Sequence, residues 1–257
     1  MNNLYMEHFK PLLKQCKEHI LTSKEGLIIE EKEDSDLVTN LDLEIETMII
    51  AFIKTHYPKD LIISEETSIE TLTDEPTWVI DPIDGTVNFS YGSKLYGIQL
   101  CKMVNKIAVF TILYLPEMDD LFYASKGEGA YRNDKPLFAD TQHAIRLSQV
   151  SFGDFSKSCY ESRPYEMKLI DTLKEEALNI RIFGSSCMDF TALASGQTHC
   201  HIMFSKRIWE FYAGLLLCEE ARLVTEQIQI KNTDITAICA AHNPKMLTRV
   251  KEILSHA

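Results

Sequence analysis

Three short acidic stretches hold the residue types that could do chemistry. They are Asp36-Leu37-Val38-Thr39-Asn40-Leu41-Asp42, Ser64-Glu65-Glu66-Thr67 and Asp81-Pro82-Ile83-Asp84-Gly85-Thr86. A turn that delivers two acids three apart, then Gly85-Thr86 at the opening of a helix, can hold metal cations beside a phosphate. Asp-Pro and Asp-Gly are also ordinary turn formers, which alone would account for the dipeptides. If the acids converge, their charges must be dealt with: two carboxylates about 4 Å apart repel by roughly 4 kcal/mol at an effective dielectric of about 20. Such a cluster takes up protons or binds cations. Oxygen-only ligands select a hard ion such as Mg2+ or Mn2+ over zinc. Two such ions can activate a water and stabilise the leaving oxygen of an in-line displacement on phosphorus.

Convergence depends on the elements around these stretches. Leu61-Ile62-Ile63 reads as a strand ending in Glu65-Glu66, and Thr77 to Ile80 as a short buried strand that Pro82, lacking a donor, should stop. If the two strands are neighbours, Glu65 ends near Asp81 and Asp84. Leu41, Ile45, Met48, Ile49, Phe52 and Ile53 mark an amphipathic helix with Thr39 at its N-cap and Asp42 at N3. Capping alone could explain those two residues; Asp36, outside the helix, has no such role. Glu30 to Asp36 otherwise reads as a solvated loop or hairpin.

Leu4, Phe9, Leu12, Leu13, Cys16 and Ile20 predict a long first helix ended by Gly26. Strands over 96–103, 106–114, 121–124 and 129–132 make the first part α+β with a largely antiparallel sheet. Helices are expected over about 165–178, 184–194, 208–222 and 244–254, with strands at 180–183, 199–204 and 235–240. The composition turns polar around Asp140 to Ser148. We place a soft boundary there: residues 1–142 carry the metal-site motifs, and residues 143–257 the substrate-side loops and Glu210.

The chain has 257 residues, 45% hydrophobic and 25% charged, enough for one large domain or two intimate halves with a real core. A net charge of −12 argues against a nucleic-acid-binding face. Seven scattered cysteines without a C-x-x-C pair fit reduced thiols, and no apolar run approaches a membrane span. The N-terminus lacks the pattern of a secretory leader. A cytoplasmic protein without membrane or nucleic-acid partners is the expectation. His199 and His201 share a strand face, but no second ligand pair stands at zinc spacing.

Asp36-x-Val38-Thr39-x-x-Asp42, Glu65-Glu66, Asp81-Pro82-Ile83-Asp84-Gly85-Thr86 and Trp209-Glu210-x-x-Ala213-Gly214 together resemble the inositol monophosphatase family. Gly127-x-Gly129-Ala130-Tyr131 and Arg181-x-x-Gly184-Ser185 match as well, in order along the chain. The resemblance implies an α+β fold, a layered α/β/α/β/α sandwich of the inositol monophosphatase–fructose bisphosphatase type. It implies a lithium-sensitive phosphomonoesterase with two or three Mg2+ ions per site, Mn2+ being able to substitute. Glu65, Asp81 and the Ile83 carbonyl would hold the first metal; Asp81, Asp84 and Glu210 the second; Asp36 would lie by a third, weaker ion. Glu65 and Thr86 would position the attacking water, with Asp42 accepting from the Thr86 hydroxyl. The amides of Gly85 and Thr86 would receive the phosphate, and Gly184, Ser185 and Ser186 would form a second substrate-side turn. By analogy the chain is a homodimer acting on a small phosphorylated metabolite.

Three departures bear on this. The family has Asp after the tryptophan, whereas this chain has Glu210, longer by one C–C bond of about 1.5 Å. Members that use inositol carry Glu six residues before the tryptophan, where this chain has Met203. Arg222-Leu223 replaces two glycines. Met203 shifts the expected substrate from inositol monophosphate toward another sugar phosphate, the 2′-phosphate of NADP or a nucleotide 3′-phosphate. Lys206-Arg207 reads either as a solvated loop tip or as recognition of a second anion. The alternative reading of the whole is a catalytically weakened member kept as a binding or regulatory protein, with Glu210 as the lesion.

Overall fold

Helical spacing of apolar side chains builds the first layer. In the computed structural model, which describes residues 2–32, 37–66, 71–139 and 144–256, Phe9, Leu13, Cys16 and Ile20 are buried along α1 (Asn2–Ser23). A hairpin of β1 (Ile29–Glu31) and β2 (Leu37–Thr39) leads into α2 (Asn40–His56), which buries Leu41, Ile45, Ile49 and Ile53. The expected boundary at 142/143 lies outside the described residues.

Next come β3 (Leu61–Ser64), β4 (Thr77–Asp84), the short α3 (Thr86–Ser90), β5 (Gly97–Val104), β6 (Ile107–Leu115), β7 (Asp120–Ser125), β8 (Gly129–Arg132) and β9 (Lys135–Leu137). The strands form one seven-stranded sheet in sequence order, β3 parallel to β4 and the rest antiparallel. β4 does not stop at Pro82. It runs to Asp84 through a register shift between Asp81 and Asp84, so a bulge accommodates the proline that cannot donate.

The remainder comprises β10 (Gln149–Phe152), α4 (Arg163–Glu176), β11 (Asn179–Ile182), α5 (Ser186–Ala194), β12 (Cys200–Ser205), α6 (Tyr212–Glu220), β13 (Val224–Gln229), β14 (Thr236–Ala241) and α7 (Pro244–Ser255). A five-stranded sheet runs in the order β11-β10-β12-β14-β13, with β10 parallel to both neighbours. β10 and β13 escape the hydrophobic pattern because Gln149, Ser151, Thr225, Glu226 and Gln227 dilute it. The helix expected from Ile208 breaks: Ile208–Glu210 is a 3-10 turn, and α6 starts afterwards.

Alternation along the strands sorts the side chains into three cores. Trp78, Ile80, Ile98 and Leu100 pack under α1 and α2. Val79, Cys101, Leu113 and Phe122 face the opposite way, onto Phe190, Leu193, Leu215 and Leu217 of α5 and α6, which also meet Met203 and Ile238. Ile202, Phe204 and Cys239 pack against Leu169, Leu173, Leu247 and Val250 of α4 and α7. The result is a layered α/β/α/β/α sandwich. All seven cysteines are buried, unpaired thiols. Among the described residues no helix is long and apolar enough to cross a membrane.

Candidate active site

The parallel pairing of β3 with β4 brings the second and third acidic stretches together. Ser64 is in register with Ile80, and the Glu65 N–H donates to the Ile80 carbonyl at 3.2 Å, so Glu65 leaves its strand beside Asp81. Asp81 is 2% exposed and its Oδ1 has no hydrogen-bond partner. Three residues on, Asp84 is fully engaged. It accepts from the Ser186 N–H at 3.1 Å, the Ser186 hydroxyl at 2.8 Å, the Cys187 N–H at 2.7 Å and the Ser185 hydroxyl. Gly184, Ser185 and Ser186 therefore stand against Asp84, where the start of α5 meets the bulge of β4.

Two glycines permit that approach. Gly85 has φ of +89°, and a Cβ there would lie 2.9 Å from the Ser185 Cβ; Gly184 has φ of +76°, and a Cβ would meet the Asn88 amide at 2.8 Å. Asn88 in turn donates to the carbonyls of Phe183 and Leu95, tying the two turns together.

The first stretch joins through α2. Asp42 accepts from the Thr39 N–H at 2.9 Å and from the Thr39 hydroxyl, capping the helix. Its other oxygen lies 3.0 Å from the Thr86 hydroxyl, whose single proton is shared between Asp42 and the Ile83 carbonyl, also at 3.0 Å. Asp42 thus serves the cap and Thr86 at once. Asp36 lies outside the described residues.

Glu210 arrives from the five-stranded sheet. Its Oε2 accepts from the Ser205 hydroxyl at the end of β12, and its Oε1 lies 3.8 Å from Arg207. Arg207 also stands 3.6 Å from Glu65, and Lys32 lies 3.8 Å from Glu65 and 2.5 Å from Glu66. Lys206 instead pairs with Asp234 at 2.8 Å, so the two basic neighbours part company. Sequence reading placed Lys32 in a solvated run; only the strand pairing that positions Glu65-Glu66 could have revealed its partners.

Six acids (Asp42, Glu65, Glu66, Asp81, Asp84 and Glu210) therefore share this region with two basic side chains. Burial pushes the carboxyls of Glu65 and Asp81 up, with Glu66 and Glu210 adding to it for Glu65 and Glu65 and Asp84 for Asp81, and Asp81 is held well above the usual carboxylate range. Burial also raises Asp84, despite its four donors, and Asp42, against its hydroxyl partners. Among the described residues no three of these groups are already gathered into a metal cage. Yet the donors facing the gap are all oxygen, and one Asp81 oxygen is buried without a partner. Such a set suits a hard divalent cation.

Glu65, Asp81, Asp84, Arg207 and Glu210, with Gly85 and Thr86, line a cavity of about 330 Å3. Residues 153–158, Met203 and Phe204 line it as well, and sequence reading did not assign these except for Met203. His199 and His201, at zinc-like positions, are tied to β10 instead: the Gln149 N–H donates to His199 Nδ1, and Ser151 bonds His201 Nδ1 at 2.9 Å.

Comparison with known proteins follows the same lines. "Inositol monophosphatase 1" of Solanum lycopersicum is 31% identical over 229 residues, 87% of this chain and 84% of the relative. "Nus factor SuhB" of Escherichia coli (strain K12) is 30% identical over 233 residues, 88% of this chain and 87% of the relative. A solved structure of an "IMPase/NADP phosphatase complexed with Mg2+ and phosphate" superposes with a TM-score of 0.85 at 23% identity, covering 98% of this chain and 95% of that one. The model of the inositol monophosphatase family matches residues 6–250. With the acidic motifs in order along that span and the five layers in place, the chain belongs to the inositol monophosphatase family, whose members are phosphatases.

Proposed function

We propose that the protein is a Mg2+-dependent phosphomonoesterase that hydrolyses a small phosphorylated metabolite with a metal-activated water. The observation that carries this is the buried, unpartnered Asp81 Oδ1 between Glu65 and Asp84, in a setting of oxygen donors only. Glu65, Asp81 and the Ile83 carbonyl would hold a first ion, and Asp81, Asp84 and Glu210 a second; by the family resemblance Asp36, outside the described residues, would serve a third, weaker one. The ions supply a low-pKa water and charge neutralisation at phosphorus. The residues of the chain do the rest. Glu65 and the Thr86 hydroxyl orient the attacking water, and Asp42 fixes Thr86 through their 3.0 Å bond. The amides of Gly85 and Thr86 receive the phosphate.

Candidate substrates are a sugar phosphate, the 2′-phosphate of NADP or a nucleotide 3′-phosphate, with Mn2+ able to substitute for Mg2+ and lithium inhibiting. Met203 on the cavity wall, a thioether that accepts from a hydroxyl far more weakly than a carboxylate does, favours these over inositol monophosphate. A cytoplasmic homodimer completes the reading.

Phosphate release is the test, across inositol 1-phosphate, fructose 1,6-bisphosphate, NADP and 3′-phosphoadenosine 5′-phosphate, with Mg2+, with EDTA and with lithium. Mg2+-dependent turnover of one compound well above the others supports the proposal. No turnover of any, with Mg2+ bound by calorimetry, refutes catalysis and leaves a binding protein.

A further inference from the structure

We propose that Asp154 is a specificity residue that reads the hydroxyl groups of a compact polyol phosphate bound in the cavity. The proposal rests on the phosphomonoesterase reading and names the substrate class for that same site.

Asp154 lines the reaction cavity together with Asp81 and Asp84. Among the described residues its carboxylate makes no hydrogen bond or ion pair, whereas its backbone is fixed on both sides. Before it, the Gly153 N–H donates to the Ile202 carbonyl at 2.9 Å. After it, Arg163 donates to the Phe155 carbonyl at 3.1 Å and lies over the Phe155 ring at 4.8 Å, itself held by Glu166 at 3.1 Å. Ser156 then accepts from the Ser158 N–H and closes the turn. A loop clamped this way presents its acid in one place, as a recognition group should be.

The neighbouring strand explains why an acid here has work to do. Register between β10 and β12 pairs Phe152 with Ile202, which sets Gly153 against Met203; a Cβ on Gly153 would lie 2.7 Å from the Met203 Cβ. Of the two strand ends forming that wall, one offers a thioether and the other a free carboxylate. An ionised carboxylate only accepts hydrogen bonds and repels phosphate. Its partner in the substrate is therefore a hydrogen-bond donor and not the phosphate, and its two oxygens suit adjacent hydroxyls. A cavity of about 330 Å3 lies at the small end of ligand pockets, which fits a monophosphorylated polyol better than a dinucleotide.

Steady-state kinetics with Mg2+ test this on the wild type, Asp154→Asn and Asp154→Ala. The probes are p-nitrophenyl phosphate, which has no hydroxyl, and three polyol phosphates: glycerol 2-phosphate, glucose 6-phosphate and inositol 1-phosphate. KM for the best polyol phosphate should rise about tenfold or more in both variants, the usual scale for losing a hydrogen bond to a charged group, with a smaller change in kcat. KM for p-nitrophenyl phosphate should fall, since a negative charge near the phosphate path is gone. Polyol KM values that hold, or KM values that rise together for both substrate types, overturn the role. So does a wild type that hydrolyses p-nitrophenyl phosphate but prefers no polyol phosphate, with the phosphatase reading intact. A wild type that releases phosphate from no probe removes that reading, and this one with it.

Discussion

Asp84 Oδ2 accepts a 2.7 Å hydrogen bond from the backbone N–H of Cys187, 103 residues further along the chain. That bond, with those from Ser185 and Ser186, links the bulged end of β4 to the first turn of α5 in the layer between the two sheets. Asp81, one bulge earlier, has an oxygen with no partner. The two acids are close in sequence and opposite in what they do for the fold, so removing their charges should have opposite effects.

Asp84→Asn replaces two accepting oxygens with one acceptor and one donor. The donor then faces one N–H and one hydroxyl in either orientation, those of Ser186 at one position or the Cys187 N–H and Ser185 hydroxyl at the other. Leaving buried donors unsatisfied costs about 1–3 kcal/mol per group, so the variant should unfold at clearly lower denaturant and release no phosphate. Chemical denaturation monitored by circular dichroism checks this; unchanged stability would mean that the α5 contacts are dispensable.

Asp81→Asn should instead stabilise the metal-free protein. It removes a charge that burial and the surrounding acids oppose, at the cost of no existing hydrogen bond to Oδ1. A gain of about 1 kcal/mol corresponds to roughly 2–4 °C in Tm for a chain of this size. The same variant should lose the Mg2+-induced rise in Tm. A wild-type Mg2+ shift in Asp81→Asn would place the ion elsewhere.

Much of this arrangement was legible from residue types. Glu65, Asp81, Asp84 and Thr86 carry their own signal, since acids ending buried strands and a Gly-Thr turn are expensive unless used. Two things were hidden. Hydrogen bonds from α5 to Asp84 depend on a contact across more than a hundred residues, which no local pattern encodes. The cavity wall at residues 153–158 follows β10, a strand whose Gln149 and Ser151 disguise it. Lys32 was misjudged for a related reason: a lysine in an acidic run looks solvated until strand pairing shows which glutamates lie above it.

His201 offers a pH test through a group that is not one of the clustered acids. It is fully buried, and burial pulls its imidazole down to about 3; its 3.4 Å separation from Asp189 is longer than a charge-assisted bond. A histidine whose folded pKa lies below its unfolded value of about 6.5 costs stability as pH falls through 6.5, because only the unfolded chain takes the proton. At pH 5 that amounts to about 2 kcal/mol. Asp189, raised by burial, acts in the opposite sense, so the difference between variants is the readout. His201→Phe should lose less stability than wild type between pH 7 and pH 5. Equal losses would show that His201 is charged in the folded protein.

Gly214 measures how closely α6 must approach α5. A Cβ there would lie 2.0 Å from the Phe190 ring, which is completely buried. Gly214→Ala must push α5 away or force Phe190 off its rotamer, at about 1–3 kcal/mol. Because α5 also carries the donors to Asp84, activity should fall in the same variant while Mg2+ still binds. Full activity with lowered Tm would mean that α5 yields at its far end only.

Glu210 decides between a working and a weakened site. Its longer side chain lets Oε2 take the Ser205 hydroxyl while Oε1 stays 3.8 Å from Arg207, beside Glu65. Ser205 itself accepts from the Arg207 N–H at 2.9 Å, so the serine, the arginine and the glutamate form one unit. In such a unit the extra methylene is matched by its surroundings. Shortening it by about 1.5 Å breaks the serine bond without carrying the carboxylate closer to Asp84. Glu210→Asp should therefore lower kcat/KM by about tenfold, the scale of losing one orienting partner, and Ser205→Ala should do much the same. Steady-state kinetics at saturating Mg2+ checks both. A gain of activity in Glu210→Asp would identify the wild-type glutamate as a lesion and favour a regulatory protein over a catalyst.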